Sequence, residues 1–218
     1  MVGIHHLHKN VAIVCAGNLE TDGAIVQPMS TALQSRLVHL EVEADSKQWV
    51  DWAYEHKFDH RITSYIEFRP DHVYSFNPDH TDKTYASPRT WEFVNQILKI
   101  TPITKDILPL IAGSLGEGVA REFFGFCQIH EKLPKIETIV STPNLVSIPD
   151  EPSVQFALCG SVAANVNKDN CTALLEFVNR LPSEFQVVCV RSMVKRSPDV
   201  LKHPSFAPWV TKLAADLL

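Results

Sequence analysis

The stretch LVHLEVEADSKQWVDWAYEHK, residues 37–57, changes its period halfway along. In Leu37–Glu43 the side chains alternate, with Val38, Leu40 and Val42 opposite Leu37, His39, Glu41 and Glu43. That is the pattern of a strand covered on one face. After Asp45 the apolar positions recur at three and four, placing Trp49, Trp52, Ala53 and His56 on one stripe of a helix over Ser46–Lys57. The switch separates a short β-patterned beginning from a helical remainder.

Toward the N-terminus, Val11–Gly17 (VAIVCAG) is a continuous apolar run ended by glycine, which suits a strand buried on both faces. Between the two strand patterns, Pro28 and MSTALQSR predict a short helix. Toward the C-terminus, Asp59–Phe68 continues the helical period with Ile62, Tyr65 and Ile66, and Pro70 disrupts it. Asn77–Lys83 is polar and turn-rich. Pro88–Lys99 predicts a helix with Ser87 as N-cap and Trp91, Val94 and Leu98 inward. Thr104–Leu115, Glu117–Lys132, Ser153–Asn165, Asn170–Arg180, Glu184–Lys195 and Ser205–Leu218 share this spacing. Ser183 and Gln186 have the form of a capping box. Pro134–Pro152, with four prolines, is the best internal boundary, and no repeat period is found. The expected fold is mainly α, with two strands and a short helix ahead of a helical body.

Composition narrows the function classes. The 218 residues carry a net charge of −5 and 45% hydrophobic residues, values of a globular chain that argue against a nucleic-acid platform. The densest basic spot, Arg191 with Lys195 and Arg196, reads as a solvated helix face. Cys15, Cys127, Cys159, Cys171 and Cys189 include no CxxC pair and read as buried reduced thiols of a cytoplasmic protein. His5, His6 and His8 lack a neighbouring Cys or carboxylate, so they predict a tail or strand lead-in rather than a metal site. No run approaches the length of a membrane span, and no apolar signal core opens the chain.

Three residues stand where chemistry is possible. Asn18 follows the apolar run, at the strand tip where open α/β sheets bind ligands; taken alone it reads first as a turn-former after Gly17. Arg36 ends the short helix, either capping its C-terminus or projecting toward a neighbouring subunit's phosphate. Arg89 lies in the first turn of a helix, where the dipole disfavours a cation.

In this order AGN-x-E-T-D-G, ALQSRL and SPRTWE resemble the second half of a MoxR-type AAA+ ATPase, and GSLGEGVAREFFGF with LPSEFQVVCVR resembles the helical extension of phage and bacterial members. The resemblance implies a sensor-1 amide at Asn18, an arginine finger at Arg36 and a sensor-2 arginine at Arg89. It also implies an AAA+ core remnant over 1–45, a helical lid and following helices over 46–133, and a helical extension over 134–218. Phosphoryl transfer fits such residues, since it depends on positioned charge and a positioned water.

The chain contains no GxxxxGK[ST] and no apolar strand running into an Asp-Glu pair. Gly113-Ser-Leu-Gly116-Glu-Gly118 lacks the lysine and hydroxyl and reads as a turn between helices. The resemblance places both missing motifs upstream. ATP and magnesium are therefore expected only in a complete assembly, with a P-loop-containing half or intact homologue as partner and a homo-oligomer possible. The resemblance also implies that the strand lying between the two β patterns is missing. They are expected to pair directly, stay locally unfolded or borrow a partner. The competing readings are the sensor and lid half of a split ATPase, a non-catalytic helical interaction or regulatory module, and an inert remnant.

Overall fold

The computed structural model describes residues 6–18, 28–79 and 83–209. The chain divides into two units, Met1–Glu41 with Asn77–His80, and Val42–Phe76 with Thr81–Leu218.

In the first unit the described regular structure is α1, Thr31–Gln34, whose N-cap Ser30 accepts from the Leu33 amide. It buries no residue. No strand occurs among the described residues, which overturns both expected strands. Val14, Val38, Leu40 and Val42 are 91, 88, 86 and 92% exposed. The reason is that alternation supplies only one half of a strand. The other half is an edge that takes the backbone donors and acceptors, and a layer that covers the apolar face. Neither is formed for Val11–Gly17 or Leu37–Glu43 among the described residues. The short helix is found, but one turn long and starting after Ser30 rather than at Pro28.

The second unit is helical. Helix α2, Ser46–Glu55, starts where the Asp45 carboxylate accepts from the amides of Lys47 and Gln48 at 2.8 and 3.0 Å. It buries Trp49, Val50, Ala53 and Tyr54, so the inner face is turned from the expected stripe, leaving Trp52 and His56 outside and stacked at 4.2 Å. Asp59 caps α3, His60–Phe68, which buries Ile62, Tyr65 and Ile66 and gives way to a 3-10 turn at Pro70–Val73. Helix α4, Pro88–Ile100, carries a true capping box between Ser87 and Thr90 and turns Trp91, Val94 and Leu98 inward. Then α5, Leu108–Leu115, and α6, Glu117–Glu131, are separated by Gly116, whose φ of +84° is open to glycine at little cost. Around Trp91, Tyr65, Phe123 and Phe126 these helices close a first, aromatic core.

Helix α7, Ile136–Ser141, lies inside the proline-rich stretch; α8, Pro152–Asn165, α9, Cys171–Val178, and α10, Ser183–Arg196, follow. They bury Ile139, Leu158, Val162, Leu174, Phe177, Val190 and Met193 in a second core, which Phe206 completes. Each such side chain contributes about 1.5–3 kcal/mol relative to exposure. Helix α8 serves both cores, with Ala157 in the first and Leu158 in the second. It lies close on α3: a Cβ added at Gly160 would stand 1.7 Å from Ser64 Oγ. The expected Ser183 capping box is not made, because Ser183 is already helical and Gln186 turns back to donate to the carbonyls of Asn179 and Leu181. Of the expected helix Ser205–Leu218, residues 210–218 lie outside the described residues.

Candidate functional site

Asn18 is exposed and follows residues without regular structure, so no strand presents its amide. Arg36 is exposed in the turn after α1, and its Nη1 donates to Ala32 O at 2.5 Å. The guanidinium thus satisfies one carbonyl of its own helix, one of the two roles open to it from sequence. No hydrogen bond joins Asn18 to Arg36 among the described residues. Both belong to the first unit and Arg89 to the second.

Arg89 has the more defined setting. It sits in the first turn of α4, exposed, and makes no ion pair or hydrogen bond among the described residues. The backbone beneath it is held from three directions. Thr90 Oγ1 accepts from the Ser87 amide at 2.8 Å, Trp91 Nε1 donates to His72 O at 2.8 Å, and the Ser75 amide donates to Ala86 O at 2.9 Å. With no partner among the described residues, a cation on so fixed a frame can meet an anion without first leaving one of them.

Behind this helix start lies a polar network that the sequence reading missed. Arg69 pairs with Asp71 at 3.2 Å and with Glu122, and its Nη2 is 2.9 Å from His72 Nε2. A guanidinium cannot accept, so Nε2 carries the lone pair and Nδ1–H donates to Tyr65 Oη, 2.6 Å away. Burial and then the Arg69 charge hold the His72 imidazole below its ordinary pKa. The Arg69 hydrogen bonds hold the Asp71 carboxyl down. Spacing could not reveal this, since Tyr65, Arg69, His72 and Glu122 come from three separate segments.

The basic spot at α10 is not a solvated face. Arg191 lies 3.5 Å from Glu67, Lys195 pairs with Asp51, and Arg196 donates to Thr63 Oγ1 at 2.7 Å and Phe58 O at 3.2 Å. Burial pushes the Glu67 carboxyl up, partly offset by Arg191. Tyr54 Oη is the donor toward both Glu67 Oε2, at 3.2 Å, and Ser192 Oγ, at 2.9 Å. Burial also raises the Tyr54 pKa. These contacts join α10 to α2 and α3.

A third cluster is imidazole-rich. His60 and His130 rings meet edge to face at 5.1 Å. Burial lowers both, His60 to about 4 and His130 to about 3, and His60 further disfavours the charge on His130. Burial raises the Asp59 carboxyl, but the two Arg61 hydrogen bonds at 2.7 and 2.9 Å outweigh it and leave a net lowering. Among the described residues no group of three His, Cys, Asp or Glu is placed to hold a metal ion; His5 of the N-terminal histidine cluster lies outside them. The cysteines are free; Cys127, Cys159, Cys171 and Cys189 are buried, and Cys15 is exposed. Burial raises the Cys127 thiol well above its ordinary range.

No described helix is long and apolar enough to cross a membrane. Comparison with protein-family models, curated proteins and solved structures finds no match to this chain.

Proposed function

We propose that this chain is the lid-like half of a MoxR-type AAA+ ATPase, acting in the cytoplasm with a P-loop-containing polypeptide and inactive toward ATP alone. The reading is carried by Arg89: an exposed guanidinium, free of partners among the described residues, on a helix start fixed by the Ser87–Thr90 box and the Trp91–His72 hydrogen bond. The part carried by Arg89 draws on the helical body and needs no sheet within the chain. In a complete assembly Arg89 would offset phosphate charge on a nucleotide and magnesium held by the partner. Asn18 would position water, and Arg36 would act across a subunit boundary. An arginine in that last role accelerates related reactions by about three to five powers of ten.

The test is calorimetric titration of ATP–magnesium into the chain alone and with a P-loop partner. No binding is expected alone, and micromolar binding would defeat the proposal. With the partner, turnover is expected to appear, and Arg89→Ala to weaken nucleotide binding. Arg36→Ala should reduce turnover while leaving binding nearly intact.

A second reading, a non-catalytic interaction or regulatory module, is favoured by one observation. The Arg36 guanidinium is already engaged with Ala32 O and must leave it to reach a neighbour. Association with the P-loop partner without any change in turnover on Arg36→Ala or Arg89→Ala would select this reading.

A further inference from the structure

Residues 38–44 make no backbone hydrogen bond among the described residues, and the polar contacts of Leu37–Glu43 there are the Leu37 amide and His39 Nε2, each to Gln34 O, at 3.4 and 3.0 Å. Its aliphatic side chains Val38, Leu40 and Val42 face solvent. The segment has no Lys, Pro or Gly to guard a free edge, and its charged residues are Glu41 and Glu43. We propose that Leu37–Glu43 docks on the same segment of a second copy of this chain, antiparallel and centred on Leu40.

The occupant and register follow from the side chains. Centred on Leu40, Val38 meets the partner's Val42, Leu40 meets the partner's Leu40, and His39 meets the partner's Glu41. Within 38–42 the three apolar positions share one face and the His–Glu pairs the other, while Leu37 at the end meets the partner's Glu43. Shifting the centre by one residue puts His39 on the partner's His39 or Glu41 on the partner's Glu41. Half-step shifts set Val38 or Leu40 on the partner's Glu41. A parallel in-register pairing stacks Glu41 on Glu41 and Glu43 on Glu43. Like charges directly opposite are unfavourable, whereas aliphatic and opposite-charge pairs are favourable. Among these registers the Leu40-centred one alone satisfies every position from 38 to 42. It also gives the unpaired amides and carbonyls of both copies their partners. This pairing is intermolecular and independent of the nucleotide reading, since it uses neither Asn18, Arg36 nor Arg89.

One seven-residue ladder covers the aliphatic flanks rather than their whole surface. Association is therefore weak, with a dissociation constant on the order of 100 µM against the cost of immobilising two chains. Sedimentation velocity of the full chain in reducing buffer, across about a decade of concentration on either side of that value, should show a monomer–dimer equilibrium. Leu40→Glu, which sets two carboxylates face to face, should weaken it about tenfold or more. His39→Glu should weaken it several-fold, because two carboxylates then oppose each other across the ladder. The double variant His39→Glu with Glu41→Lys should restore it, because the carboxylate introduced at position 39 then faces the ammonium introduced at position 41 of the second copy. These positions lie outside the helical cores, so circular dichroism should be unchanged. A chain that stays monomeric throughout overturns the proposal. So does a dimer indifferent to Leu40→Glu, one the double variant fails to restore, or open-ended aggregation in place of a dimer.

Discussion

Residues 28–45 and the helix pair α2–α3 draw on the same stock of aliphatic side chains, with opposite outcomes. Val38, Leu40 and Val42 stay in water, while Val50, Ile62 and Ile66 are buried. The two regions differ in how each pattern finds its complement. A helix satisfies its backbone internally, so α2 and α3 need only one another's faces and those of α6, α8 and α10 to bury a stripe. A strand needs a second strand before its face is of use. Periodicity therefore decides structure where the backbone is self-sufficient, and only announces a requirement where it is not.

The hardest test of that contrast is truncation of one large side chain in the helical body. Trp91→Ala removes a fully buried indole and its hydrogen bond to His72 O. It should cost about 3–5 kcal/mol in denaturant-induced unfolding. A loss below about 1 kcal/mol would mean that the first core is not one cooperative unit.

Close packing supplies the next effect. Gly160→Ala places a methyl 1.7 Å from Ser64 Oγ and 2.9 Å from Ser64 Cβ, between α8 and α3. The expected destabilisation is about 1–3 kcal/mol by thermal unfolding. Ser64→Ala in the same chain should recover part of it, since the nearer atom is gone and the Cβ remains. Full additivity of the two changes would show that the helices are not in contact there.

What can be read in advance follows the same division. Ser87, Pro88 and the Trp91–Val94–Leu98 spacing define α4 correctly, because cap, first-turn proline and stripe all act within one segment. Ile62, Tyr65 and Ile66 behave alike in α3. Periodicity misplaces the inner face of α2 because it counts Trp52 as apolar, although that ring stays at the surface, stacked on His56 and edge-on to the buried Phe58. Gln186 has the spacing of a cap, yet its acceptors, Asn179 O and Leu181 O, lie in the preceding turn. The strands fail because their complement is nowhere in the described chain. Of the candidate site, the position of Arg89 on a helix start is legible, but the Tyr65–His72–Arg69–Glu122 network behind it is not. Its members meet only through tertiary packing, and each alone resembles an ordinary surface or core residue.

The imidazole pair gives a smaller and pH-dependent test. The folded pKa values of His60 and His130, about 4 and about 3, lie below the ordinary value of 6.5. The unfolded chain therefore binds more protons below that pH, and the stability these residues leave intact at neutral pH is lost as pH falls from 6.5 toward 4. Glu67, whose carboxyl burial pushes upward, runs the other way, so the signal is read as a difference between variants. His130→Gln should lose less thermal stability over this interval than the parent, by about 1 kcal/mol. Equal losses would show that the His130 imidazole is not held neutral by its surroundings.

The smallest effect should come from the region that looks most hydrophobic on paper. Leu40→Ala removes a larger side chain than Ile62→Val, yet Leu40 is 86% exposed and Ile62 is fully buried. In dilute solution, where the chain is monomeric, Leu40→Ala should change unfolding free energy by less than about 0.5 kcal/mol. Ile62→Val should cost about 0.5–1.5 kcal/mol despite losing a single methyl. The ordering matters more than either value, because side-chain hydrophobicity alone predicts the reverse. If Leu40→Ala proved the more damaging in a dilute monomer, the N-terminal stretch would have to pack on something within its own chain. The contrast between a self-sufficient body and an unpartnered beginning would then fail at its root.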